Sequence, residues 1–354
     1  MSGGKTHQTH PSTRYVSISC STLGDRMTLK WRLFIRRFIR KITLLRIRAA
    51  IGQAVRNHRR KKMALFISSA EELSYTLKHS QVLSSCPIWN PNNDNFEFLI
   101  PAKDSHINFL NKNLENIAEK YGNHIIVNIL VSEQVKNLVQ VPDLLQARVK
   151  IISESTYENE LNQLQPFIQK YNEIRWSWFK QQCLKTLFVG SATTPVVILD
   201  ADTLLVKPIN FQPNGKNLLL MGSDTHSHFH APYSMHIQRY LGINPLPINF
   251  TQHCQLQIPK IVNEIYTEDV VKGLSEWLNK GKSPFEFSPV CEYQTYAEYT
   301  RKTYPAKTTL FSHTHHLSYL PNLDMELAGS NALDVNDHLL GKCQDNCDLV
   351  TMLN

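Results

Sequence analysis

Two aspartates separated by one residue close an apolar run in the middle of the chain. Residues 196–208 read VVILDADTLLVKP, so Asp200 and Asp202 follow four apolar residues. If a strand continues this far, its two-residue period points both carboxylates the same way. Like charges so close repel unless a cation or a donor network lies between them. The pattern therefore favours Mg²⁺ or Mn²⁺ held against a diphosphate, where it would neutralise the charge of a departing nucleotide. The alternative is an exposed turn with two solvated aspartates.

The segments before this motif alternate between short apolar runs and amphipathic runs. FEFLIP (96–101) and HIIVNILVSE (124–133) predict strands, and HINFLNKNLENIAEKYG (106–122) predicts a helix closed by Gly122. This alternation predicts an α/β protein with a mainly parallel sheet flanked by helices. Ligands of such sheets bind beyond the carboxyl ends of the strands, which is where the two aspartates are expected.

Four segments carry a resemblance to a known family. ILDADTLLVKP and FLIPAKDSHINFL resemble the DxD segment and the first strand with donor loop of GT-A glycosyltransferases. RWSWFKQQCLKTLFVG and FSPVCEYQTYAEY resemble a group of largely uncharacterised bacterial glycosyltransferase-like proteins, although Cys291 stands where that group has a small residue such as Ser. The resemblance spans roughly residues 95–320. It implies a GT-A-like (Rossmann-like) fold and a nucleotide-sugar donor.

The resemblance also implies a metal site. Asp202 would be the main direct ligand, and Asp200 would bind the metal or contact the ribose or a metal-bound water. In several GT-A enzymes a late histidine completes the divalent site, and FSHTHHLSY offers His313 and His315 for that role. The alternative is histidines without a ligand. No HExxH pattern occurs, so a zinc site is not expected.

Donor contacts follow from the same resemblance. Lys103 and Asp104 come after the first predicted strand, where the family contacts the nucleobase and ribose. The helix before the DxD motif offers Gln182 and Lys185, of which Lys185 would meet the diphosphate. Loop solvation and a surface ion pair are the alternatives.

Catalytic and acceptor residues are expected later in the chain. Inverting transfer needs a base that takes the proton of the acceptor hydroxyl, and Glu292 is the best candidate. Tyr293 and His253 would contact the acceptor, and Asp224 would meet sugar hydroxyls as a further catalytic residue. The alternatives are an ion pair for Glu292, core packing for Tyr293 and solvated loops for the other two.

Charge is divided unevenly along the chain. The net charge is +8, yet residues 1–62 hold 16 Lys and Arg and one acidic residue. In residues 29–55, apolar side chains recur at three- and four-residue steps, which predicts a cationic amphipathic helix. Its apolar runs are too short to cross a bilayer. We expect residues 29–62 to lie on an anionic membrane surface. A helix packed on the body is the alternative, and nucleic acid is not an expected partner.

The sequence thus predicts a basic, partly disordered arm (1–62), a connecting segment (63–94), a GT-A-like catalytic domain (95–325) and a C-terminal tail (326–354). Seven scattered cysteines without a CxxC pair favour a reducing cytosol. We expect a cytoplasmic protein, peripheral at the inner face of the membrane, that moves a sugar to a surface glycan or lipid-linked acceptor in polysaccharide biosynthesis.

Two other functions stay open. A nucleotidyltransferase also uses paired carboxylates on an α/β sheet, but IPAKDSHINF lacks the Gly-rich loop expected after its first strand. A catalytically inactive, transferase-like binding protein would recruit partners through the arm.

Overall fold

The computed structural model describes residues 70–91, 95–169, 176–222, 231–246, 250, 253–280, 290–313, 315–319 and 349–353. Its helices are α1 (Ala70–His79), α2 (Ile107–Tyr121), α3 (Glu158–Ile168), α4 (Trp176–Ser191), α5 (Ala231–Leu241), α6 (Pro259–Tyr266), α7 (Val270–Lys280) and α8 (Glu292–Thr303). Its strands are β1 (Gln81–Leu83), β2 (Glu97–Pro101), β3 (Ile126–Val131), β4 (Val149–Ser153), β5 (Val196–Leu199), β6 (Thr203–Leu205), β7 (Asn217–Gly222), β8 (Cys254–Gln257), β9 (Thr308–His313), β10 (His315–Tyr319) and β11 (Leu349–Leu353).

A five-stranded sheet in the order β4-β3-β2-β5-β8 forms the centre of the fold. The first four strands are parallel, and β8 runs antiparallel to β5. Two further sheets, in the orders β1-β9-β7 and β10-β11-β6, contain three strands each. The predicted α/β class, with mainly parallel strands flanked by helices, is confirmed.

Helices cover both faces of the central sheet. Phe98 and Ile100 of β2 belong to one buried cluster together with the apolar side chains of α2. Leu99, between them, belongs to a second cluster with side chains of α4, α6, α7 and α8. Strands that are buried on both faces need apolar residues at successive positions, which explains why VVIL and FLI do not alternate with polar residues.

The strand order changes direction at β2. From β2 the chain passes through α2 to β3 and then to β4, always on one side, and β5 returns to the other side of β2. The crevice beyond the carboxyl ends of β2 and β5 is therefore the topological switch point, where ligands of α/β sheets bind. Asp200 follows β5 directly, and Lys103 lies two residues after β2.

Segments outside the predicted catalytic domain contribute strands to the sheets. β1, from the predicted connecting segment, pairs with β9, and β11, from the predicted tail, pairs with β6 and β10. The domain boundaries themselves stay predictions.

The basic arm lies outside the described residues, so its helix and its membrane contact also stay predictions. Among the helices that the structure does describe, none is long and apolar enough to cross a bilayer.

A buried histidine makes the stability of the fold depend on pH. The His236 Nε2 atom of α5 lies 2.8 Å from the carbonyl oxygen of Trp277, and within the described part of the chain no group hydrogen-bonds to its Nδ1. A second proton on this ring would be buried without an acceptor, and burial lowers the pKa of His236 to about 4.

We predict that acid destabilises the protein partly through His236. Because the folded-state pKa lies below the ordinary value of 6.5, the contribution is complete above pH 6.5 and is lost as the pH falls toward 4. It amounts to at most about 3 kcal/mol of the free energy of unfolding. Urea unfolding of His236→Gln, which can still donate to the Trp277 carbonyl, should show a correspondingly smaller loss on acidification. Equal acid sensitivity in both proteins would contradict this.

Candidate metal centre

A turn, rather than a continuing strand, brings the two aspartates together. β5 ends at Leu199, and the backbone N–H of Thr203 donates to the carbonyl oxygen of Asp200 over 3.0 Å. The strand therefore does not reach Asp202, so its two-residue period does not set the direction of the two carboxylates. The chain reverses instead, and both carboxylates stay at the carboxyl edge of the sheet.

Two asparagines of α2 form hydrogen bonds with the backbone of this turn and of the strand that follows it. Asn113 Nδ2 donates to the carbonyl oxygens of Asp200 (3.3 Å) and Ala201 (3.5 Å). Asn116 exchanges two hydrogen bonds with the backbone of Leu205, at 2.9 and 3.1 Å. Sequence analysis missed both residues. The available signal was two amides, three positions apart, on the otherwise apolar face of a predicted helix.

His253 completes a cluster of possible metal ligands. The antiparallel register pairs Leu199 with Cys254, so His253 lies opposite Asp200 and accepts its backbone N–H at 2.9 Å. The His253 Nδ1 atom lies 2.9 Å from Asp200 Oδ2. One ligand atom each from Asp200, Asp202 and His253 lie within 4.8 Å of one another.

The backbone of His253 adopts a left-handed conformation, with φ +58°. Such conformations are uncommon outside glycine and cluster at functional sites. The sequence predicts that His253 contacts the acceptor, and that role stays a prediction. Its place beside the DxD motif depends on pairing between residues 53 positions apart, which no local pattern shows.

Charges in the cluster shift the ionisation of each member. Burial raises the pKa of Asp200, but the Lys185 ammonium and the hydrogen bond with His253 outweigh it and hold that pKa well below its usual range. Burial, and then the charge of Asp200, raise the pKa of Asp202. Burial lowers the pKa of His253. The hydrogen bond and the charge of Asp200 raise it by more, so the pKa of His253 is raised overall. The second carboxylate is therefore the one that a bound cation would most help to ionise.

A buried network lies beneath Asp200. Lys185 Nζ donates to Asp200 Oδ1 (2.9 Å), Glu292 Oε1 (3.0 Å) and the Tyr293 hydroxyl (3.2 Å). The Tyr293 hydroxyl in turn donates to Asp200 Oδ1 over 3.0 Å. The Glu292 backbone N–H donates to Gln182 Oε1 over 3.3 Å. The side chains of Lys185 and Glu292 are only 2% and 1% exposed.

These contacts differ from the ones that the sequence suggested. Lys185 was expected at the diphosphate, Glu292 as a base, Tyr293 at the acceptor and Gln182 at the donor. The structure brings all four together, but in a buried layer in which they contact one another and Asp200. Their predicted roles toward a substrate stay predictions, because each of those roles needs a side chain that substrate can reach.

Lys103 and Asp104 lie exposed in the loop after β2. Asp104 Oδ1 accepts a hydrogen bond from Ser132 Oγ, at the end of β3, over 2.8 Å. His106, in the same loop, is close enough to lower the pKa of Asp202 slightly against the larger effects of burial and Asp200. The loop thus borders the metal cluster, and its contacts with a nucleotide stay predictions.

Three predicted site residues lie wholly or partly outside the described part of the chain. Asp224 falls in the undescribed segment 223–230. His313 and His315 lie in β9 and β10, but their side chains are outside the described set.

The composition of the cluster suits a hard divalent cation. When all three are ionised, Asp200, Asp202 and the neighbouring Glu292 bring three negative charges and Lys185 brings one positive charge, which leaves two negative charges beside a neutral His253. Two carboxylates with one imidazole form a donor set that divalent metal ions accept.

A cleft of about 350 Å³ opens at the carboxyl ends of β3 and β4, and its lining includes Ser132, Ser153, Glu154, Trp176 and Lys180. β3 and β5 are separated by β2, so two strand spacings, about 10 Å, separate the cleft from the aspartates along the sheet edge. That span is comparable to the length of a nucleoside diphosphate.

Comparisons with known proteins assign no family to this chain. No family model matches it, and no curated protein matches it. Among solved structures, it is similar to the apo form of mouse xyloside xylosyltransferase 1, with 14% sequence identity and a TM-score of 0.39 over 72% of this chain and 97% of that chain. A likeness of this size does not decide function, which has to be argued from the geometry above.

We predict that Asn116→Ala destabilises the turn that carries the aspartates. The substitution leaves the buried backbone N–H and carbonyl of Leu205 without partners, which should cost about 1–3 kcal/mol of the free energy of unfolding. Asn111 of the same helix also makes two backbone contacts, but they are exposed. Asn111→Ala should therefore cost less than about 1 kcal/mol. Chemical denaturation compares the two, and equal losses would show that the turn does not depend on Asn116.

Proposed function

We propose that this protein is a divalent-metal-dependent glycosyltransferase of the GT-A type. It would move a sugar from a nucleotide-sugar donor to a surface glycan or a lipid-linked acceptor. The single observation that carries the proposal is the cluster of Asp200, Asp202 and His253 at the topological switch point of a parallel sheet.

The position of the cluster supports nucleotide binding in particular. A paired-carboxylate site for a hard cation leaves coordination positions for phosphate oxygens. The polar cleft beyond β3 and β4 offers Trp176 as an apolar wall and serine hydroxyls as hydrogen-bond partners. Its three glutamates, Glu133, Glu154 and Glu158, disfavour phosphate there, so a nucleoside fits the cleft better and the diphosphate fits the aspartates.

In this arrangement different residues would bind the metal, orient its ligands and bind the donor. Asp200, Asp202 and His253 would hold the metal directly, and Asp200, whose oxygens already contact Lys185, Tyr293 and His253, would also orient the His253 ring. The metal, when bound, would neutralise the charge that develops on the departing nucleotide. The exposed loop with Lys103 and Asp104 would bind the donor beside the cleft.

Two other functions give different products. A nucleotidyltransferase would release pyrophosphate from a nucleoside triphosphate and a sugar phosphate. The loop from β2 to α2 contains no glycine, which argues against it. A binding protein would bind nucleotide or partners without turnover.

We predict metal-dependent nucleotide release from one donor in a panel of UDP-, GDP-, CMP- and dTDP-sugars. Mn²⁺ or Mg²⁺ should support release and EDTA should abolish it. Asp202→Asn preserves the shape of the side chain but removes its charge. It should reduce release by more than about 100-fold, since even outer partners of metal ligands cost 10- to 100-fold.

Asp143→Asn is the matched control, because Asp143 is exposed in a short helical turn that contributes nothing to the cluster. It should leave release unchanged. Pyrophosphate release from triphosphates would favour the nucleotidyltransferase. Metal-dependent nucleotide binding without any turnover would favour the binding protein. Undiminished release by Asp202→Asn would overturn the metal assignment.

We also propose that the basic arm binds anionic lipid at the inner face of the membrane. The 13 Lys and Arg of residues 29–62 would each contribute about 1 kcal/mol near such a surface, with strong dependence on salt. Removal of residues 1–62 deletes none of the described elements, because α1 begins at Ala70.

We predict that the full chain sediments with vesicles containing phosphatidylglycerol and that the truncated chain does not. Neutral phosphatidylcholine vesicles should bind neither protein. Added salt should release the full chain, because screening weakens the attraction. Equal sedimentation of both proteins would refute a lipid-binding arm.

A further inference from the structure

The ammonium group of Lys185 is enclosed by protein directly behind the metal cluster. Its three N–H donors point to Asp200, Glu292 and Tyr293, which uses its whole donor capacity. It also lies 4.4 Å from the centre of the Tyr293 ring. A lysine that served a diphosphate would need a free donor and an open path, and this side chain has neither in the described structure.

Glu292 is buried as deeply and is the second carboxylate that Lys185 contacts. Its Oε1 accepts the lysine, and its Oε2 has no hydrogen-bond partner among the described residues. Burying a carboxylate costs free energy unless an opposite charge is fixed beside it. The contact with Lys185 therefore offsets the cost of burying the Glu292 carboxylate, and the same contact fixes the position of the Lys185 ammonium.

The contacts continue from this pair to the metal ligands. Asp200 Oδ1 accepts both Lys185 and Tyr293, which sets the plane of its carboxylate. The other oxygen, Oδ2, lies against His253 Nδ1. This contact fixes the orientation of the imidazole ring beside the carboxylates, as outer partners of metal-binding histidines do.

We propose that Lys185 and Glu292 are a positioning pair that fixes Asp200 and, through it, the ring of His253 for the metal. This rests on the proposed function, because it presumes that the cluster binds a divalent cation. Neither residue touches substrate in this assignment. Their role is to hold two ligands in one geometry before the metal arrives.

Electrostatics and positioning predict opposite effects of changing Lys185. Removing a positive charge near the site should tighten cation binding if charge alone matters. It should weaken binding if the lysine mainly orients Asp200. The double variant K185M/E292Q isolates orientation, because one positive and one negative charge disappear together and the net charge of the network is unchanged.

The test measures Mn²⁺ binding by the full chain without nucleotide. Titration calorimetry and the electron paramagnetic resonance signal of free Mn²⁺ give the affinity. K185M/E292Q should bind Mn²⁺ about 10- to 100-fold more weakly than the wild type. Tyr293→Phe keeps volume and charge but removes the hydrogen bond to Asp200 and the acceptor of one Lys185 N–H. It should weaken binding in the same direction by less. It also decides the question if the double variant does not fold.

A second buried ion pair provides the control. Glu298 and Arg301 are both fully buried on α8, the helix that begins with Glu292. Apart from each other, their described hydrogen-bond partners include Leu246, Gln294, Thr76 and Asn244, none of which belongs to the metal cluster. E298Q/R301M should lower thermal stability without changing Mn²⁺ affinity.

Three results would overturn the positioning pair: unchanged or tighter binding by a folded K185M/E292Q or Tyr293→Phe protein, equal weakening by E298Q/R301M, or no Mn²⁺ binding by the wild type. Failure of the proposed function looks different. A wild type that binds Mn²⁺ but releases no nucleotide from any donor would refute the transferase and leave the positioning pair supported by its own variants.

Discussion

The attraction between one buried ammonium and the carboxylates around it is the constraint on which the site depends. Lys185 reaches Asp200 and Glu292 only because α4 lies against the sheet next to the end of β5 and because α8 begins at Glu292. Three structural elements are therefore tied together at the point where the DxD turn begins. If either partner moved away, charge would be left in a region that solvent cannot reach, so the arrangement of these elements is narrowly fixed.

Next to the DxD turn, the packed sheet restrains the backbone, and the turn itself leaves Asp202 partly exposed to solvent. The strands are covered on both faces, so the backbone at the end of β5 has little freedom. Asn113 and Asn116 then fix the turn itself. Asp202 lies beyond these restraints and remains half-buried, which the proposed role as a metal ligand requires. Between Asp200 and Asp202 the site thus changes from a tightly restrained interior to an edge that solvent reaches.

Local patterns predicted much of this fold and only part of the site. The sequence predicted three elements near the site: the strand in FEFLIP, the helix 107–121 that ends at Gly122, and the strand VVIL. Each could be predicted because hydrophobic periodicity and helix-ending residues are properties of short segments. The place of His253 was not readable, because it depends on a β5–β8 pairing that no short segment encodes. The burial of Lys185 was hidden for a similar reason. A lysine in a helix normally indicates a surface, and only the tertiary partners Asp200 and Glu292 reverse that expectation.

The antiparallel pairing of β5 with β8 has an evolutionary consequence. Asp200 and His253 are 53 positions apart, yet a short ladder of backbone hydrogen bonds sets the distance between them. The chain between the two strands can gain, lose or exchange residues at its surface without moving either ligand. Descendants of this protein could therefore diversify that intervening stretch to recognise new partners, while the same pair of ligands is inherited unchanged.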